Sequence, residues 1–192
     1  MNYPLEYQAL GHLEALIYKE FPTSAPNKGT LLIETRNHTK GFETHRNDDE
    51  QEIEEFLNWR PWPEIIGYRL ATLDPISIRI SLSVSALHYY LPAFLLTSIY
   101  LRSEPLGMIG EIIELLLPPE HDQIRSALSG YGVCSQQGDA LFILRFNEFV
   151  SHFTPPQKKV CAEFLRVWYP LRRGGLDTGT QVAFDELLAF WT

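Results

Sequence analysis

The side chains of this 192-residue chain with chemistry to offer are few: six histidines, two cysteines and a tyrosine pair set beside a proline. The densest group is His88, Tyr89, Tyr90 and Pro92. In a helix Pro92 has no N–H to give the carbonyl of His88, one turn back, and its ring crowds that carbonyl. Backbone groups left free at such a kink, with His88 as an acid or base and the tyrosines as walls, would make a pocket for a small ligand. The plainer reading packs the rings in the core with their hydroxyls at the surface. His38 and His45 flank a glycine, with Asp48, Asp49 and Glu50 just beyond. Imidazoles and carboxylates so close suit a divalent cation, but the spacing matches no closed site and a solvated loop has the same composition. Cys161 falls on the apolar side of a helical pattern, where a thiol is a poor nucleophile, so Cys161 and His152 make no catalytic pair. The chain has no Gly-x-Ser-x-Gly elbow, no P-loop, no Gly-x-Gly-x-x-Gly fingerprint and no Cys-x-x-Cys. No catalytic residue, metal site or cofactor is assigned, and the balance leans away from an enzyme.

Charge is the stronger signal. The chain carries a net −8, which argues against general nucleic-acid binding, since phosphates require a cationic face. Residues 43–55 hold seven acids against one base, while residues 155–175 hold five bases against one acid. Such asymmetry reads as two solvated faces or as a docking surface for a basic partner. The N-terminus lacks a basic segment leading into an apolar one, and the most apolar run, 87–101, is shorter than the roughly 20 residues a spanning helix needs. The expectation is a cytoplasmic protein with two free thiols and no membrane partner.

These side chains are positioned by a mainly helical chain. Residues 82–101 are apolar nearly all round, as a helix buried among others must be, with Ser83 as its cap and Pro92 marking a kink or a junction of two helices. The spacing predicts helices over 4–20 and 48–59, and over 63–73 behind a rigid Trp59-Arg-Pro-Trp-Pro63 corner. Further helices are predicted from 105 to before Pro118, over 122–128, over 139–152, over 154–169 and over 180–191. Thr154-Pro-Pro-Gln157 is a capping box with proline at the first helical position. Residues 170–175 read as a basic turn. Residues 22–47 and 120–138 read as irregular insertions, and no internal repeat is evident. From Ile76 to Val84 the apolar residues alternate with Ser77, Arg79, Ser81 and Ser83, which is the period of a half-buried strand; 30–35 would pair with it in a small two-stranded hairpin.

Residues 82–93, Leu-Ser-Val-Ser-Ala-Leu-His-Tyr-Tyr-Leu-Pro-Ala, resemble the motif Leu-Ser/Thr-Pro-Glu-Ala-Phe-Arg-Tyr-Tyr-Leu-Pro-Ala of an uncharacterised family of small bacterial helical proteins. An acidic helix leading to a tryptophan precedes that motif, here 48–62. A Thr-Pro-x-Gln start and a terminal Phe-Trp follow it, here Thr154–Gln157 and Phe190-Trp191. The family's Pro-Glu is Val84-Ser85 here, and its arginine is His88. The resemblance implies a mainly helical fold and no particular chemistry.

The expectation is one helical domain, 1–192, of about seven or eight helices, acting as a protein-binding module. Its sharpest form is an immunity-type inhibitor of a cognate basic toxin. Asp48, Asp49, Glu52 and Glu55 would steer the partner, and Trp59, Trp62 and Tyr68 would anchor it. The alternative is a small-ligand protein or enzyme built on His88, Tyr89, Tyr90 and Pro92.

Overall fold

The computed structural model describes residues 5–25, 32–33, 48–101, 108–119, 140–173 and 178–192. Among these the chain is helical, with nine α-helices and no sheet: α1 Leu5–Glu20, α2 Asp48–Leu57, α3 Tyr68–Ala71, α4 Pro75–Ser81, α5 Val84–Tyr100, α6 Met108–Leu116, α7 Ala140–Ser151, α8 Pro155–Arg173 and α9 Thr178–Phe190. The segments expected to form a helix over 122–128 and a strand over 30–35 lie outside the described residues, apart from Leu32 and Ile33. The chain folds as two compact units, one of residues 23–112 and one joining residues 1–22 to 113–192.

In the unit of residues 23–112, α5 is the spine. Only His88, Ser85 and Tyr100 escape full burial along its length. Ser83 caps it, its hydroxyl accepting from the Ala86 amide at 3.2 Å. The helix runs unbroken through Pro92, so the junction of two helices expected there is a single helix. One proline costs one backbone bond, and apolar burial on both sides of it outweighs that loss.

The alternating stretch is the clearest correction. Residues 75–81 are helical, and the pairing of 30–35 with this stretch survives among the described residues only as an isolated bridge between Ile33 and Leu82. Asp74-Pro75 decides the matter: the Asp74 carboxylate accepts from the Ser77 amide at 2.7 Å, and Pro75 sits in the first turn, where its missing N–H costs nothing. The buried face is then Ser77, Ile78 and Ser81 at helical spacing, while Ile76 stands half exposed. A second correction concerns 63–73. It is one turn of 3-10 helix, Trp62–Glu64, then the four-residue α3, divided by Gly67 at φ 129°. That backbone angle belongs to glycine almost alone and interrupts the helix.

In the other unit, α1 lies against α8, and α9 against α8. The capping box forms as read: the Gln157 amide donates to Thr154 Oγ1 at 3.4 Å, and the Thr154 amide to Gln157 Oε1 at 3.0 Å. The buried Gln157 side chain also donates to the Glu20 carbonyl at 3.1 Å, tying the end of α1 to the start of α8. α8 continues to Arg173, so the turn expected at 170–175 begins later than Pro170. Phe149, Phe153 and Trp191 stack edge to face, with Phe153 5.4 Å from Trp191, and the Trp191 indole donates to the Leu116 carbonyl at 2.9 Å. In α9 the buried positions are Ala183, Phe184 and Leu187, and Val182 is exposed.

Candidate functional site

α2 separates charge from core by its own periodicity. Ile53 and Leu57, four apart, are buried, and Asp48, Glu52 and Glu55 form an exposed stripe on another side, with Asp49 exposed next to it. Acids in the first turn suit the positive end of the helix dipole, so the sequence that charges the surface also starts the helix. Three carboxylates are held from outside α2. Ser77 donates to Asp49 at 3.5 Å, Ser81 to Glu50 at 3.0 Å, and Arg69 to Glu52 at 2.7 Å. The serines that mimicked a strand are therefore the buried contact between α4 and the acidic helix. The sequence pattern concealed this pairing, because a serine counts as solvent-facing until a carboxylate is placed opposite.

The aromatic anchors expected around this face divide. Tyr68 is exposed at 63% and precedes the Arg69 that binds Glu52. Trp59 is half-buried. Trp62 is fully buried, so it supports the corner from within and has no surface to offer a partner.

The tyrosine pair has an identifiable task. Tyr90 donates to the Arg60 carbonyl at 3.2 Å. Tyr89 accepts from the Trp62 amide at 3.2 Å and donates to the Thr23 carbonyl at 3.4 Å. Farther along α5, Thr97 accepts from the Gly67 amide at 3.1 Å. Three hydroxyls of one helix thus bond backbone groups of the irregular stretch between α2 and α3, beyond the few bonds it makes within itself. The two rings meet edge to face at 4.9 Å. Burial pushes both hydroxyls above the ordinary tyrosine range, Tyr90 further than Tyr89. Pro92 is buried and His88 is half-buried. Of the four residues expected to line a pocket, the two tyrosines have their hydroxyls engaged by backbone.

At the end of α2 the chain turns through two consecutive left-handed residues, Asn58 at φ 37° and Trp59 at φ 57°. Asparagine accepts this region readily; a bulky aromatic does not, and the cost is roughly 1–2 kcal/mol. Arg60 closes the turn. Its amide donates to the Leu57 carbonyl at 2.7 Å, its guanidinium donates to the Phe56 carbonyl, and it lies 4.5 Å over the Phe56 ring.

His38 and His45 lie outside the described residues, as do His121 and Cys134. Among the described residues no three His, Cys, Asp or Glu side chains gather to hold a metal ion. Cys161 is a free, buried thiol whose ionisation burial pushes well above the ordinary range. No helix among the described residues is long and apolar enough to cross a membrane. The chain matches no protein-family model, no curated protein and no solved structure.

Proposed function

We propose that this chain is a protein-binding module acting in the cytoplasm, most concretely an immunity-type inhibitor that occupies a cognate basic toxin. The observation that carries the reading is the exposed stripe Asp48, Glu52 and Glu55 on α2, with Tyr68 exposed close by. Carboxylates on a rigid helix, some already oriented by Ser77, Ser81 and Arg69, meet a basic surface with little ordering cost. Their field raises the rate of encounter with a cationic partner and fades with salt. Tyr68 supplies an amphipathic ring of the kind that concentrates binding energy.

The test starts from an affinity pull-down of the tagged chain at low and high salt. It continues with the Asp48→Lys/Glu55→Lys pair, which leaves Ser77, Ser81 and Arg69 with their own carboxylates. The expected result is one near-stoichiometric basic partner, toxic alone and neutralised by this chain. The double reversal weakens binding at least tenfold at low salt, with the difference shrinking as salt rises. A partner bound equally well by the reversed chain would refute the acidic face, and a partner harmless by itself would refute the inhibitor role.

A further inference from the structure

The corner between α2 and the Trp62–Glu64 turn combines features that the surrounding helices do not require. Two successive non-glycine residues are left-handed, and the second is a tryptophan. Asn58 accepts this region, but nothing in the local sequence favours it at Trp59, where glycine would sit without strain. Such a conformation persists only where contacts from elsewhere over-determine it. Among the contacts from α5, Tyr90 reaches the Arg60 carbonyl of the turn itself, and Tyr89 holds the Trp62 amide just beyond it.

We propose that Tyr90 is a latch: its hydroxyl holds Asn58–Arg60 in the strained turn, and its release lets residues 58–62 open as a unit while α5 stays folded. The inference does not depend on what binds the acidic face. In the latched state Trp62 is sealed in the core and Trp59 is half-covered. Opening removes the Arg60 amide from Leu57 and the Trp62 amide from Tyr89, and it exposes both indoles. α5 itself gives up none of its own backbone bonds when the latch lets go, because Tyr90 uses only its side chain there. The device is therefore local.

Hydrogen exchange of the full chain tests this. Tyr90→Phe deletes only the hydroxyl. The Arg60 and Trp62 amides bond to Leu57 and Tyr89, not to Tyr90, so their exchange reports opening and not the deleted bond itself. Exchange at both is expected to quicken at least tenfold, with the amides of residues 95–99 unchanged. Unchanged exchange at Arg60 and Trp62, or equal acceleration through α5, would overturn the latch. Asn58→Val is the second variant, at an exposed position where a β-branched residue resists the left-handed region and no packing is lost. It is expected to give the same local acceleration with Tyr90 intact. No acceleration, or acceleration spread through α5, would show that the turn stores no strain for Tyr90 to hold.

Discussion

Tyr89, Tyr90 and Cys161 are neutral groups whose ionisation the fold opposes by burial. Each holds its proton more tightly folded than unfolded. Their contribution is therefore complete below the unfolded values and is lost as pH rises past them, beginning near pH 9 for the thiol and 10 for the tyrosines. Stability measured by urea unfolding is expected to fall between pH 8 and pH 10.5, and Tyr90→Phe is expected to flatten that fall. An identical slope in the variant would mean that Tyr90 titrates no differently in the two states. At this scale the sequence was informative about type and silent about task. A tyrosine pair before a proline looked like a pocket wall, yet its hydroxyls bind backbone 27 and 30 residues away. No spacing rule reports a partner at that separation.

Elements announced themselves where the signal was local. Thr154 and Gln157 are three residues apart and cap each other, and Ser83 caps α5; both are written in neighbouring residues. Over Ile76–Val84 the alternating period is overridden by a two-residue signal, Asp74-Pro75, that starts a helix and needs no period. The 63–73 helix failed at Gly67, whose amide is held by Thr97 at a backbone angle open to glycine. Gly67→Ala is expected to destabilise the protein by about 1–3 kcal/mol, lowering the urea midpoint. A Cβ there meets no atom within 4 Å, so the cost is conformational and not a clash. A neutral result would mean that this backbone relaxes without penalty. The candidate docking face was legible as charge, since acids at helical spacing are visible in any sequence. That two of those acids, Asp49 and Glu52, are held by Ser77 and Arg69, and the neighbouring Glu50 by Ser81, was not, because it depends on the placement of α3 and α4.

The two units differ in how the chain builds them. Residues 23–112 are continuous, whereas the other unit needs residues 1–22 and 113–192 together, since α1 lies on α8. A fragment of residues 23–112 is expected to retain helical circular dichroism and a cooperative thermal transition. Residues 113–192 alone are expected to lose theirs and to recover it when residues 1–22 are added as a peptide. Cooperative melting of 113–192 without the peptide would show that α1 is dispensable to its unit. The bond from Gln157 to Glu20 spans 137 residues of sequence, and that separation has a consequence during biosynthesis. At about 5–20 residues per second, α1 leaves the ribosome on the order of ten seconds or more before α8 exists to receive it. The continuous unit emerges in the interval with everything it needs to fold. The apolar side of α1, with Leu13 and Ile17, spends that interval without α8, which makes it a segment a chaperone would meet.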